Sequence, residues 1–233
     1  MNIALLGYGK MGKVIERIAL ERGHTIVFKS GRNTTTIDLS NADVAIDFSI
    51  PDAAVNNIST CFNNNVSVIS GTTGWLESYD QMVELCNKTN GAFIYGSNFS
   101  LGVNVFFELN NYLAKMMNNL KQYNVNLEEI HHTQKLDAPS GTAISLAEGI
   151  INNSDKTSWK MDESTNNNEI PIIAKRINDV PGTHTIDYSS EVDSIKIEHI
   201  AHSREGFALG AVIAAEWILN KKGVFTMKDV LGL

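Results

Sequence analysis

The stretch Ile3-Ala4-Leu5-Leu6-Gly7-Tyr8-Gly9-Lys10-Met11-Gly12 decides the fold of the first part of the chain. Its leading apolar residues predict a buried strand. Apolar residues at helical spacing follow the last glycine, namely Val14, Ile15, Ile18 and Ala19. A strand, a G-x-G-x-x-G turn and a helix in this order are the context in which the glycine motif indicates dinucleotide binding.

The three glycines of this motif have separate steric roles. Gly7 permits a tight turn, Gly9 lets the backbone approach a pyrophosphate, and Gly12 lets the helix pack on the strand. We therefore expect the whole loop to contact a dinucleotide, through Gly7, Tyr8, Gly9, Lys10, Met11 and Gly12.

The residues after a second predicted strand, 24–28, bear on the choice of cofactor. A site that prefers NAD usually places Asp or Glu there to bind the ribose 2′-hydroxyl. This chain has no carboxylate at that place, and Lys29, Ser30 and Arg32 are suited to a 2′-phosphate. The pattern predicts NADPH over NADH, or loose discrimination. The alternative is that Lys29 and Arg32 are solvated loop charges.

Strands and helices go on alternating through the first part of the chain. The predicted strands are 43–49, 66–70 and 92–95, and the predicted helices are 53–58 and 76–88. This alternation is typical of an α/β domain with a Rossmann-type, doubly wound parallel sheet. Ligands bind at the carboxyl ends of the strands in such a sheet, so we expect Gly71, Thr72 and Thr73 to border the cofactor.

The pattern changes after a long predicted helix, 101–120, which leads into a second domain. The elements predicted there are a strand at 123–130, a helix at 140–152, a loop at 153–169 and strands at 170–176, 183–189 and 194–202. Strands that follow one another without helices suggest antiparallel pairing, hence a smaller α+β domain. One exposed sheet face is suited to an oligomer interface. A final helix, 207–219, is expected to return to the first domain.

The window 128–143 is the densest polar stretch of the chain. Either His131 or His132 is suited to acid–base chemistry near neutral pH, and neighbours on a strand point to opposite faces, so at most one faces a given site. Lys135 is suited to pairing with an anion or to supplying a proton. The predicted helix start at 140–142 presents backbone N–H groups that favour an anion.

The window also holds three carboxylates, Glu128, Glu129 and Asp137. None has an evident partner in the sequence, and we expect them to orient or solvate the site. A second polar cluster contains His199 and His202, which lack the spacing of helical metal ligands, and no metal site is predicted.

Composition narrows the functional class. The chain has 233 residues, 43% of them hydrophobic and 19% charged, with a net charge of −7, so neither nucleic acid nor a membrane is an expected partner. No apolar run reaches the length of a membrane-spanning helix, which is about 18 residues. Two cysteines without a disulfide pattern, and no targeting segment, predict a cytoplasmic protein.

Several motifs occur together in an order that resembles the 4-hydroxy-tetrahydrodipicolinate reductase family, also called dihydrodipicolinate reductases. They are the glycine loop at 7–12, Asp47-Phe48-Ser49, Gly71-Thr72-Thr73-Gly74, Asn98-Phe99-Ser100, His131-His132-x-x-Lys135-x-Asp137-Ala138-Pro139-Ser140-Gly141-Thr142-Ala143, and Ser203-Arg204 with Phe207-Ala208. The window from Glu129 to Ala143 is the most specific of these.

This resemblance implies an enzyme of lysine and diaminopimelate biosynthesis that reduces a small cyclic dicarboxylate with NADPH or NADH, commonly as a homotetramer. It implies a dinucleotide-binding domain at 1–100 and 204–233, and a substrate-binding and oligomerisation domain at 101–203. Its further implied cofactor residues are Gly96, Ser97, Asn98 and Phe99.

The resemblance also implies roles in the dense window. His131 matches the family's catalytic histidine and Lys135 its proton donor, while either is left open as the actual donor. The implied substrate-binding residues are His132, Ser140, Gly141 and Thr142. The chain departs from the family in lacking the frequent acidic residue near Lys29, and it is somewhat shorter than many members.

Two other readings account for part of the sequence. A homoserine or aspartate dehydrogenase explains the glycine loop but not the His-His-x-x-Lys and Ser-Gly-Thr pattern. A non-catalytic NADPH sensor explains the fold, but such a protein has no need of Lys135 or His131, and both are present.

Overall fold

The computed structural model describes residues 1–31, 34–164 and 166–233. Contacts between Cα atoms divide the chain into two compact units, the first formed by Met1–Leu101 with Glu205–Leu233 and the second by Gly102–Arg204. Among the described residues, no helix has the length and apolar character needed to cross a membrane.

The first unit begins with alternating strands and helices, as predicted. They are β1 (Asn2–Leu6), α1 (Lys10–Glu21), β2 (Thr25–Ser30), β3 (Val44–Asp47), α2 (Pro51–Asn63), β4 (Ser67–Ser70), a short 3₁₀ turn (Leu76–Ser78), α3 (Tyr79–Lys88) and β5 (Ala92–Tyr95).

The second unit holds the middle of the chain. Its elements are α4 (Leu101–Met117), β6 (Asn124–His131), α5 (Gly141–Ile151), β7 (Ser158–Met161), β8 (Glu169–Arg176), β9 (Gly182–Ser189) and β10 (Ser194–Ala201). The chain then adds α6 (Glu205–Ile218), β11 (Gly223–Phe225) and α7 (Met227–Leu231) to the first unit.

The first unit is built on a six-stranded parallel sheet with the strand order β11-β5-β4-β3-β1-β2. Strand β1 lies between β2 and β3, so the order reverses there and leaves a crevice at the carboxyl ends. Alternate residues of β1 serve opposite faces: Ile3 and Leu5 pack with α1 and α6, whereas Ala4 and Leu6 pack with α2. The predicted doubly wound α/β fold is confirmed.

A buried carboxylate ties together the strand ends on one side of this crevice. Asp47 ends β3 with 0% of its surface exposed. Its Oδ1 accepts hydrogen bonds from Ser49 Oγ at 2.7 Å and Asn57 Nδ2 at 2.8 Å. Its Oδ2 accepts from Ser70 Oγ and Thr72 Oγ1, both at 2.8 Å. These four neutral donors satisfy the carboxylate and hold the loops that follow β3 and β4 against α2.

The second unit has a five-stranded mixed sheet with the order β10-β9-β6-β8-β7. Strand β9 pairs antiparallel with β10, as predicted, and also with β6. The antiparallel prediction is wrong for β8, which runs parallel to β6 and β7. The reason is the intervening α5, which makes β6-α5-β8 a crossover unit.

Strand β7 lies in the stretch 153–169, so the prediction of a loop there is wrong at Ser158–Met161. Its signal is the alternation of Trp159 and Met161, whose side chains pack against the core of the second unit. The surrounding Asn-rich and acidic residues obscured this short pattern.

Strand β6 determines which polar groups become buried. Its inner face carries Val125, Leu127, Glu129 and His131 in strict alternation, and α4 and α5 cover the apolar members of that row. The period of two therefore draws a carboxylate and an imidazole into the same inner row as two core residues.

Candidate active site

The glycine loop of the first unit has the geometry that a dinucleotide site needs. Gly7 has a φ of +102°, and a Cβ there would lie 2.2 Å from the carbonyl oxygen of Phe48. A Cβ on Gly12 would lie 2.5 Å from the carbonyl oxygen of Gly7. At Gly9 a Cβ would meet nothing within 4 Å. The fold thus requires the outer two glycines, whereas the middle one faces open space through which a ligand can approach.

Gly9 is also the N-cap of α1 and offers no side-chain cap to the helix. The backbone N–H groups of the first helical turn, which contains Lys10 and Met11, are therefore suited to an anion. A cavity of about 550 Å³ adjoins this loop, and its wall includes Tyr8, Ser30 and Gly31. This volume lies within the range of small-molecule sites.

Lys29 already has a charged partner. Its Nζ forms an ion pair with Glu16 of α1 and lies 4.7 Å from the ring centroid of Tyr8, whose hydroxyl donates to the same carboxylate. The hydrogen bond from Lys29 lowers the pKa of Glu16, and the same contact raises the pKa of Lys29. The ammonium charge expected to meet a 2′-phosphate is thus largely neutralised within the protein.

The other two residues expected to bind the 2′-phosphate are Ser30 and Arg32. Ser30 is buried, and both its hydroxyl and its carbonyl oxygen accept the N–H of Gly7, each at 3.2 Å. Its role in the structure is to hold the turn. Arg32 lies outside the described residues.

The strand-end loops expected to line the cofactor use some of their side chains internally. Thr72 donates to Asp47, accepts the N–H of Ser49, and receives the indole N–H of Trp75 on its carbonyl. Phe99 is a core residue beside Phe48. The other predicted positions follow the carboxyl ends of β4 and β5: Gly71, Thr73, Gly96, Ser97 and Asn98.

Glu129 is the centre of the polar cluster in the second unit. Its side chain is 0% exposed, and its Oε2 lies 3.0 Å from His131 Nδ1 and 3.8 Å from His184 Nε2. Its Oε1 accepts the backbone N–H of Ser140 at 3.0 Å and Nη2 of Arg176 at 3.2 Å. Burial alone would raise the pKa of Glu129, but hydrogen bonds from His131 and Ser140 outweigh it and lower the pKa to about 2. Glu129 is therefore ionised.

Ser140 joins this cluster to the start of α5. Its hydroxyl caps the helix by accepting the N–H of Ala143 at 3.2 Å, and it lies 3.2 Å from His184 Nε2. Because its own N–H donates to Glu129, both the N–H and the hydroxyl of Ser140 have partners within the protein. At Gly141, the next residue of the expected anion site, a Cβ would meet nothing within 4 Å, and Thr142 follows it in the first turn of α5.

Arg176 holds the loop that carries Lys135. It donates to the carbonyl oxygen of Lys135 through Nε at 3.3 Å and to that of Asp137 through Nη2 at 2.6 Å. The ammonium of Lys135 donates to both Asp137 oxygens, at 2.9 and 2.7 Å. One guanidinium thus links this loop to the buried carboxylate of Glu129.

His132 has a different set of partners from His131, which agrees with the expected divergence of the two rings. Its Nε2 lies 2.9 Å from Nη2 of Arg204. Burial first, and then the charge of Arg204, lower the pKa of His132, so its neutral ring is suited to accept from the guanidinium. Both side chains line a cavity of about 240 Å³.

Three residues of these clusters were not predicted as site residues: Arg176, His184 and Arg204. Arg176 is the last residue of a predicted strand. Its role could have been inferred only from the burial of Glu129, because a buried carboxylate needs a cation or other donor beside it. His184 lies on an inner-face position of β9, which is apolar at Ile186 and Tyr188. Arg204 appeared only within a family motif.

Ligand-type atoms of Glu129, His131 and His184 lie within 4.8 Å of one another, a spacing that a metal ion also uses. Here a guanidinium and a backbone N–H already bind Oε1 of Glu129, and Oε2 faces the two imidazoles. A second cation would be repelled by Arg176, so the arrangement favours a hydrogen-bonded cluster.

Comparison with known proteins identifies the family. The family model described as the N-terminus of dihydrodipicolinate reductase matches residues 1–99, and the model described as its C-terminus matches residues 102–231. The chain belongs to the dihydrodipicolinate reductase family. The resemblance seen in the sequence is therefore confirmed. The chain is a nicotinamide-dependent oxidoreductase, and its family uses NADH or NADPH.

Whole-length relatives support this assignment. A protein of Christiangramia forsetii named 4-hydroxy-tetrahydrodipicolinate reductase is 59% identical over 99% of this chain and 98% of its own length. One of the same name from Thermosipho africanus is 36% identical, again over 99% and 98%.

Solved structures show the same fold. A dipicolinate-bound dihydrodipicolinate reductase from Paenisporosarcina sp. TG-14 has a TM-score of 0.76 at 22% identity, covering 97% of each chain. An aspartate dehydrogenase from Thermotoga maritima has a TM-score of 0.51 at 15% identity, covering 97% of this chain and 99% of its own. The alternative of an aspartate dehydrogenase thus shares the fold, whereas the family assignment favours the reductase.

The buried His184 of this reductase family member should make its stability depend on pH. Burial lowers the pKa of His184 to about 3, whereas an unfolded histidine titrates near about 6.5. Between these values only the unfolded chain binds the proton, so the free energy of unfolding falls as the pH falls. From pH 7 to pH 5 we expect this residue to remove about 2 kcal/mol.

Urea unfolding of wild type and His184→Gln at both pH values measures this loss. Glu129, which faces His184, titrates below this window, and His132 and His199, whose pKa values burial also lowers, are present in both proteins. His184→Gln should lose less stability than wild type on acidification, while the exposed control His202→Gln should match wild type. Equal losses for wild type and His184→Gln would contradict the assignment.

The Glu16–Lys29 pair leads to a prediction about cofactor choice. Because Glu16 neutralises the ammonium, Lys29→Met should change the NADPH-to-NADH ratio of kcat/KM by less than about threefold; a direct contact to phosphate is worth about 1.5–3 kcal/mol, or more than about tenfold. Glu16→Gln should release the ammonium and raise the relative preference for NADPH. A tenfold fall of the ratio in Lys29→Met would show that Lys29 binds the phosphate.

Proposed function

We propose that this chain reduces 4-hydroxy-tetrahydrodipicolinate to tetrahydrodipicolinate with NADPH or NADH, in lysine and diaminopimelate biosynthesis, in the cytoplasm. The names of the relatives at 59% and 36% identity support the reaction. The observation that carries the assignment of the active site is the cluster around Glu129. It brings together the family's histidine, the lysine loop and the start of α5.

The first unit is proposed to bind the cofactor. Its open Gly9, the uncapped start of α1 and the adjoining cavity of about 550 Å³ fit a dinucleotide. The backbone of the loops after β4 and β5 is proposed to border it on the other side of the crevice. When bound, a reduced nicotinamide supplies the hydride.

The second unit is proposed to bind the two carboxylates of the substrate. The backbone N–H groups at Gly141 and Thr142 begin α5 and are suited to one of them. His132 and Arg204 line a cavity and supply a guanidinium for the other. The solved relative with the TM-score of 0.76 was obtained with dipicolinate, which is also a cyclic dicarboxylate.

Proton supply is assigned to Lys135 or His131. The product lacks the 4-hydroxyl group of the substrate, so a hydride replaces that hydroxyl and one proton converts it to water. Lys135 carries its proton on an ammonium held by Asp137, and His131 carries one when its ring, beside Glu129, is an imidazolium. Either group matches the acid that this step requires.

Removing the ammonium tests this assignment. Lys135→Ala should lower kcat at least about 100-fold because general acids contribute about 10²–10⁴-fold, and it should leave the Kd for NADPH nearly unchanged. Turnover is followed as loss of NADPH or NADH absorbance with the freshly made condensation product of pyruvate and aspartate semialdehyde.

The matched control for this variant is Lys175→Ala, which removes a lysine that pairs with Glu128 at 2.5 Å on the outer side of the sheet. It should retain wild-type turnover. Near-normal turnover by Lys135→Ala would remove Lys135 from the mechanism, and failure of the wild type to oxidise either cofactor would reject the reductase activity.

The oligomeric state is proposed to be a homotetramer that forms through the outer face of the five-stranded sheet. Strand register places Ile173 and Ile200 on this face, where they are 37% and 51% exposed. Exposed apolar residues on a sheet face are suited to burial against another copy.

Light scattering after gel filtration should give four times the 25.6 kDa mass of one chain. Ile200→Lys should lower this mass by placing a charge in the interface. Leu20→Lys, at an exposed position of α1, should not. A monomeric wild type, or an Ile200→Lys variant of unchanged mass, would contradict this interface.

A further inference from the structure

Glu129 neither binds substrate nor gives a proton in the proposed chemistry, yet its carboxylate is the most completely enclosed charge of the second unit's polar cluster. It lies on the inner face of β6 in the row that contains Leu127 and His131. A carboxylate buried in this way costs several kcal/mol unless each oxygen has partners. The partners of the two oxygens therefore indicate the role of Glu129.

The two oxygens of Glu129 have different tasks. Oε1 is held by the backbone N–H of Ser140 and by Arg176, which belong to other elements of the unit. These two contacts fix the carboxylate in place and compensate its charge. Oε2 is turned towards His131 Nδ1 at 3.0 Å, with His184 Nε2 further away at 3.8 Å. The oxygen that is not needed for anchoring is thus aimed at the catalytic histidine.

Glu129 Oε2 and His131 Nδ1 lie 3.0 Å apart and neither atom has a hydrogen-bond partner elsewhere among the described residues, so this approach bears on which nitrogen of His131 carries hydrogen in the neutral ring. An ionised carboxylate only accepts, so the nitrogen facing it must donate, which makes the ring the Nδ1–H tautomer. Nε2 is then the nitrogen that gains and loses the exchangeable proton. A Cβ on Gly182 would lie 3.1 Å from Nε2, so the glycine leaves room beside that atom.

We propose that Glu129 is a positioning residue that accepts Nδ1–H of His131, fixes the tautomer and rotation of the ring, and so presents Nε2 for proton transfer. The inference deepens the proposed function and rests on it. In this step Nε2–H of the imidazolium gives its proton to the 4-hydroxyl oxygen as the C–O bond breaks, the hydride that the reduced nicotinamide would supply forms the new C–H bond, water leaves, and the neutral Nδ1–H ring remains bound to Glu129. Arg176 and Ser140 act on His131 only through the carboxylate that they hold.

The variant Glu129→Gln tests this role while keeping the size of the side chain. If its carbonyl oxygen keeps the contacts to Ser140 and Arg176, its amide NH₂ faces His131 Nδ1, which must then accept, and the ring switches to the Nε2–H tautomer. Long-range ¹⁵N–¹H NMR of the full chain at about pH 8.5, where histidines are mostly neutral, distinguishes the two tautomers directly. We expect Nδ1–H in the wild type and Nε2–H in the variant.

Kinetics supply a second readout that a merely structural role would not give. With the wrong tautomer, kcat of Glu129→Gln should fall between about 10²- and 10⁴-fold, while the KM for substrate stays within about threefold. Glu128→Gln is the matched control: it changes the adjacent carboxylate, which pairs with Lys175 on the outer face, and should leave both the tautomer and kcat unchanged.

Two results would overturn the proposal. One is a wild-type His131 ring that carries its hydrogen on Nε2, a measurement that needs no variant and so survives a failure of Glu129→Gln to fold. The other is a folded Glu129→Gln whose kcat lies within about threefold of wild type. Absence of turnover in the wild type would instead reject the proposed function, and the NMR result would still report whether Glu129 holds the ring.

Discussion

The constraint on which the second unit depends is the need to satisfy one fully buried carboxylate. Glu129 enters the protein interior because the period of the strand places it between Leu127 and His131 on the inner face. Once there, it needs partners on both oxygens: the start of α5 and the end of β8 donate to Oε1, and His131 lies beside Oε2. Satisfying this charge therefore assembles the histidine, the helix start and the lysine loop into one site.

The first unit solves a similar problem with different chemistry. Asp47 is also fully buried at the carboxyl end of a strand, but its four donors are hydroxyls and an amide rather than a guanidinium. These neutral donors satisfy its charge and fix the strand-end loops beside the site proposed for the cofactor. In the second unit, where an anionic substrate is proposed, Arg176 belongs to the cluster. In both units a buried carboxylate sets the positions of the loops that follow strands.

The accuracy of the sequence predictions follows the range of the interactions involved. The glycine loop, the parallel sheet and the start of α5 depend on contacts within a few residues or on repeated patterns, and they were predicted correctly. The direction of β8 depends on pairing with β6, far away in the chain, which local patterns do not encode, whereas the short β7 was obscured by the Asn-rich and acidic residues around it. The partners of Lys29 and Glu129 depend on helices and strands that the fold brings alongside, so neither carboxylate–cation contact was foreseen.

The sequence by itself determined the family, the nicotinamide chemistry and the polar residues available for it, because local motifs such as Gly7 to Gly12 and His131 to Thr142 have fixed spacing. Only the tertiary structure decided how those residues are used. It pairs Lys29 with Glu16 and places one oxygen of Glu129 beside His131. It also uses the hydroxyl of Ser140 to cap α5 and its N–H to bind Glu129. The physical reason is that the cost of burying a charge is met by donors from distant segments, and only folding sets which of them come within hydrogen-bonding distance.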